Sequence, residues 1–143
     1  MAKKTIKFEV VTPERIVLKQ FVSQVTVPTE DGEITVLPEH IPLVSILKPG
    51  VIEMRLDDGS LEIMSVSGGF LEVMRDKIVI LADTAERAEE LDEKRIEEAR
   101  ARAEERKKDI ESLDERQFAN IAVQLEKEMA RLKALTKWRS LRR

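Results

Sequence analysis

The sequence predicts a β domain followed by a C-terminal antiparallel two-helix hairpin, and three observations carry that prediction. Up to about Ala82 the chain is a succession of short Val- and Ile-rich runs in which apolar and polar residues alternate. From Ala85 to Arg143 there is neither glycine nor proline, and Ala, Glu, Arg, Lys and Leu dominate. Within that second half, Ser112 is followed three residues later by Glu115, the spacing of a capping box that ends one helix and starts another.

Nine runs read as strands: TIKFEVVT, RIVLKQF, SQVTVP, GEITVL, LVSIL, VIEMRL, SLEIMSVS, FLEVM and KIVILA. Alternation is plain in Ile6, Phe8 and Val10, and again in Leu61 and Ile63. Turn signals separate the runs, among them Asp31-Gly32, Pro49-Gly50 and Gly68-Gly69. Asp57-Asp58-Gly59 is a hairpin signal, because glycine accepts the positive φ that tight turns demand. Strands with no helix between them imply two sheets packed face to face, or a barrel.

The helical half divides unequally. Of two possible starts for a first helix, Thr84 and Asp92, Asp92 is favoured, after an irregular AERAEEL connection and with a thin stripe of Ile96, Ala99, Ala103 and Ile110. A second is expected from Leu113 to about Leu141, roughly 40 Å at 1.5 Å per residue. Its Phe118, Ile121, Leu125, Met129, Leu132, Leu135 and Trp138 recur at three- and four-residue steps and form one apolar stripe. An alanine face contributes little buried area, so the pair is expected to be weakly held. Leu132, Leu135 and Trp138 run past the end of the first helix and need another partner.

The 143 residues can hold one ordinary domain, or a small domain plus an appendage. No cysteine is present, which excludes disulfides, thiolate metal sites and a cysteine nucleophile. MAKKTIKFEVV lacks the apolar core of a signal peptide, and no apolar run approaches the ~20 residues of a membrane span, so a soluble, cytoplasmic chain is expected. The net charge of −3 is unevenly placed, with all six charged residues from Arg131 onward basic. The folded part has no basic face, so nucleic acid is not an expected partner.

His40 is the only histidine, flanked by Pro38 and Pro42. It cannot build a His-rich metal site alone, and no nucleophile motif or phosphate loop accompanies it. A general base, a ring satisfied by local backbone bonds, and a contact in a proline-stiffened docking loop are its three readings. Gly68-Gly69 lacks the following helix of a dinucleotide site. Arg95 and Arg102 share a helix face and read either as an anion clamp or as solvated partners of Glu98 and Glu105.

DGEITVLPEHIPLVSILKPG, SVSGGFLEV and ILADTAERAEELDEKR, in this order and spacing, closely resemble the epsilon subunit of F-type ATP synthases. The resemblance implies a β-sandwich of about ten strands over residues 1–84 and a regulatory hairpin over 85–143. It implies a non-catalytic rotor subunit that links gamma to the polar loops of the c-ring, coupling ion flow to ATP synthesis. The expected location is peripheral, on the cytoplasmic face of the cell membrane, with no direct insertion. Glu33 and His40 match positions at or near the c-ring and gamma contacts. Thr35 and Glu39 stand where many relatives have glycine.

In relatives the hairpin lies folded, or opens along gamma, reaches the catalytic beta and alpha subunits and inhibits ATP hydrolysis. Lys127, Arg131, Lys133, Lys137 and Arg139 are the expected inhibitory contacts. Some relatives bind ATP in the folded hairpin through an (I/L)DxxRA motif. Leu91, Asp92 and Arg95 match it, Ile96 replaces its alanine, and Glu86, Arg102, Lys127 and Arg131 fit further contact positions. Lysine at 127 lacks the bidentate phosphate geometry of arginine. No cofactor is required on this reading, and ATP is an optional regulatory ligand. The alternative is a free-standing nucleotide-sensing module without a rotor role.

Overall fold

The computed structural model describes residues 4–108 and 114–142. Ten strands form one bent sheet: β1 (Ile6–Val11), β2 (Ile16–Val22), β3 (Gln24–Thr29), β4 (Gly32–Val36), β5 (Leu43–Leu47), β6 (Gly50–Arg55), β7 (Leu61–Val66), β8 (Gly69–Val73), β9 (Lys77–Ala82) and β10 (Ala85–Arg87). Their order is β10-β7-β6-β3-β5-β8-β9-β1-β2, with β4 paired to β3 outside that path. Among the described strands only β1 and β9 run parallel. Phe8 and Val10 of β1, Val25 of β3, Met54 of β6, Met64 of β7 and Ile78 and Ile80 of β9 are all buried in one core. The sheet therefore closes over itself as the sandwich that the resemblance implies, one of the two arrangements that the strand pattern left open.

Gly69 shows why the Gly68-Gly69 pair is there. Its φ is +119°, and a Cβ would collide with the carbonyl oxygen of Leu81 on the neighbouring strand. The glycine serves close strand pairing, with no ligand needed to explain it.

The tenth strand corrects the sequence reading of AERAEEL as irregular. Ala85–Arg87 pairs antiparallel with Met64–Val66, and Ala88–Glu90 follows as a 3-10 turn. Three residues are too few to show a period, so only the pairing reveals the strand. The sheet thus continues past residue 84 through Arg87.

Helix α1 (Glu93–Lys108) begins where expected: the Asp92 carboxylate accepts from the backbone N–H of Lys94 at 3.0 Å. Helix α2 (Glu115–Leu141) begins two residues later than expected. Asp114 is its cap, accepting from the Gln117 N–H at 2.8 Å while the Gln117 side chain accepts from the Asp114 N–H. Asp is as good a cap as Ser, so SLDERQ holds two overlapping capping boxes, and the second is used. Ser112, Leu113 and Ile110 lie outside the described residues.

The hairpin is folded against the sandwich. α2 packs on α1 and also on the outer face of β6 and β7. There Ala134 and Trp138 meet Val51, Ile63 and Ala88. This is the partner that the lower part of the α2 stripe lacked. The stripe itself is redistributed: Ile121 and Leu135 are buried, Phe118 and Met129 are exposed, and the carboxylate Glu128 is buried. The helix touches two neighbours at once. Ala134 lies about 120° around it from Glu128 at 100° per residue, so its buried surface is wider than one stripe.

Candidate functional site

Three regions gather the predicted residues. The first is an open cleft of about 440 Å³ between the 3-10 turn, α1 and α2. Six of the seven expected ATP-contact residues line it: Glu86, Leu91, Asp92, Arg95, Arg102 and Arg131. Lys127 is not among the lining residues. Glu90, Ile96, Glu98, Ala99 and Glu128, which were not on the expected list of contacts, complete the wall. Glu128 lay hidden because a lone glutamate in a helix of mixed charge reads as solvated.

Arg131 is held by two carboxylates. Its Nε donates to Glu86 Oε1 at 2.6 Å and its Nη1 to Glu128 Oε1 at 2.7 Å. Gln124 donates a second bond to the same Glu128 oxygen at 2.7 Å. Glu128 is 1% exposed, and its Oε2 has no partner. Arg95 and Arg102 behave oppositely. Both are exposed, and neither makes the expected pair with Glu98 or Glu105; the ion pair formed within α1 is Arg100–Glu97 at 3.1 Å. Among the described residues these two guanidiniums are unpaired.

The second region is a cleft of about 300 Å³ in which Glu33 of β4 and Lys48 meet Lys133 and Lys137 of α2. Lys137 is paired with Glu53 at 2.5 Å, and Arg139 with Glu93 at 2.7 Å. Of the five expected inhibitory residues, Arg131, Lys137 and Arg139 are therefore tied to partners within the folded chain.

The third region is the surface of the sandwich itself. In the loop after β4, His40 Nδ1 lies 2.6 Å from the Ile41 carbonyl oxygen, which can only accept, so Nδ1 carries the proton. Glu39 beside it has φ +70°, the left-handed region that glycine favours. Leu37 and Ile41 are exposed around it. Sequence reasoning missed the larger feature. Strand register aligns Ile46 with Phe70, Phe70 with Leu81, Leu81 with Val11, and Val11 with Ile16. The result is one apolar row across five strands on the outer face, and four of its members are between 48% and 61% exposed. Each strand taken alone shows only an apolar residue at an outward position.

Over residues 5–88 the chain matches the family described as ATP synthase, Delta/Epsilon chain, beta-sandwich domain. The chain belongs to the ATP synthase epsilon family. It is 43% identical over 131 residues to the ATP synthase epsilon chain of Moorella thermoacetica, covering 91% of this chain and 96% of that one. It is 48% identical over 98 residues to that of Chloroflexus aggregans, covering 68% and 70%. Among solved structures, a chain of the Euglena gracilis mitochondrial ATP synthase OSCP/F1/c-ring assembly superposes with a TM-score of 0.78 at 26% identity, covering 92% of this chain and 81% of that one. A chain of the Tetrahymena thermophila central stalk and c-ring, at 16% identity and TM-score 0.61, covers 94% and 99% and shares the fold. An epsilon chain is a non-catalytic subunit, which removes the general-base reading of His40. No described helix is long and apolar enough to cross a membrane.

Proposed function

We propose that this rotor subunit of ATP synthase seats the bare outer face of β5, β8, β9, β1 and β2 on gamma, while Glu33 of β4 and His40 of the loop that follows it meet the polar loops of the c-ring. The exposed apolar row from Ile46 to Ile16 is the single observation that carries the first part, since a contiguous apolar strip on a folded domain marks a protein contact. Glu33 supplies a carboxylate for a basic group on the ring, which fixes register more than it adds affinity. The chain would then lie on the cytoplasmic face of the membrane, held through its partners.

The hairpin is the regulatory half of the same reading. Folded, it covers Val51 and Ile63 and engages Arg131, Lys137 and Arg139. Opened, it would free those cations for the catalytic beta and alpha subunits. ATP in the cleft would bridge α1 and α2 and favour the folded form. The test is ATP hydrolysis by the cognate synthase, comparing the full chain with one ending at Glu90, which keeps β10. Faster hydrolysis with the shortened chain is the expected result. Equal rates with pumping retained would leave a coupling subunit whose helices are structural.

A further inference from the structure

The 440 Å³ cleft carries a contradiction in its charges. Two unpaired guanidiniums, Arg95 and Arg102, stand seven residues apart on one face of α1 and open into it. A third, Arg131, faces them from α2. Three arginines converging from two helices form a polyanion clamp, because guanidinium matches phosphate oxygens bidentately. Yet Glu86, Glu90, Asp92, Glu98 and Glu128 line the same space and leave it net acidic. Glu86 and Glu128 also take up the donors of Arg131 that would complete the clamp.

We propose that the Glu86–Glu128 carboxylate pair acts as an internal anion that occupies Arg131 and sets the ligand selectivity of the cleft. A polyphosphate must displace these carboxylates from Arg131 or approach them as like charges, and either route weakens its binding. Glu128 is the stronger element of the pair. It is buried, so its charge is poorly screened, and its Oε2 points to no donor that could offset it. Through Arg131, Glu86 ties α2 to β10, while Glu128 holds the same guanidinium from within α2. This deepens the nucleotide reading of the cleft but needs no partner subunit, so its failure leaves the stalk role standing.

The test is isothermal titration of the full-length chain with sodium tripolyphosphate, and in parallel with ATP, comparing the native protein with Glu128→Gln and Glu86→Gln. Trp138 is the only tryptophan and no tyrosine is present, so its emission reports in each case whether the hairpin stays packed. Tripolyphosphate should bind Glu128→Gln at least about tenfold more tightly than the native chain, and Glu86→Gln should shift in the same direction. A gain seen for both ligands supports the clamp, and a gain for ATP alone would overturn it in favour of base recognition. Affinities within about threefold of native for both variants, or no binding by any of the three proteins, would overturn it as well. If Glu128→Gln releases the hairpin, Glu86→Gln, at the rim of the cleft, decides by the same criterion.

Discussion

The two outer faces of the sandwich have the same chemistry and opposite fates. On β6 and β7, Val51 and Ile63 point outward and are buried, because Ala134 and Trp138 of α2 cover them. On β5, β8 and β9, Val44, Ile46, Phe70 and Leu81 point outward with nothing over them. An apolar outward residue therefore carries no information about its own partner. The chain covers one face from within and leaves the other bare. The polar contacts follow the same division. Glu53 beside the covered face holds Lys137, whereas Glu9 on the bare face pairs only with neighbouring lysines of the same sheet, Lys7 and Lys19.

The sharpest way to break the comparison is to uncover the covered face. Ile63→Lys places an ammonium under α2 and should cost the hairpin contact about 3 kcal/mol, moving Trp138 emission to the red. The sandwich should remain folded, because Ile63 lies outside the main core. Unchanged emission would mean that the β6–β7 face is not what holds α2.

The complementary change is Phe70→Lys on the bare face. Stability should stay within about 0.5 kcal/mol, since the side chain is already half in water. Gamma binding measured by calorimetry should weaken by about 2 kcal/mol, or some thirtyfold. Unchanged affinity would place gamma elsewhere and leave the row without a partner.

A smaller effect is expected at Glu39, which links neither face. Glu39→Gly removes a left-handed strain of roughly 1–2 kcal/mol and adds back part of it as unfolded-chain entropy. Urea denaturation should show a net gain near 0.5 kcal/mol. A loss would mean that the exposed Lys4–Glu39 pair, at 3.0 Å, orders the loop.

The fold was legible because period and composition are local properties. Alternation marked nine strands, and the absence of glycine and proline marked the helices. The tenth strand escaped because three residues have no measurable period. The start of α2 was misplaced because Ser112 and Asp114 both head capping boxes. For the cleft, the resemblance to the epsilon family named six residues that the structure brings together. It could not reveal Glu128, since nothing in the spacing tells a buried carboxylate from a solvated one.

What the sequence by itself determined was nine of the ten strands, the two helices and their order along the chain. The Asp92 cap is readable from residue types at fixed offsets, whereas the close approach of β8 to β9 at Gly69 is not. Only the tertiary structure decided which outward faces meet. Register across five strands assembled Ile46, Phe70, Leu81, Val11 and Ile16 into one row. The docking of α2 then buried Val51, Ile63 and Glu128 together. The physical reason is that burial belongs to pairs of surfaces, and the second member of each pair lies far away along the chain.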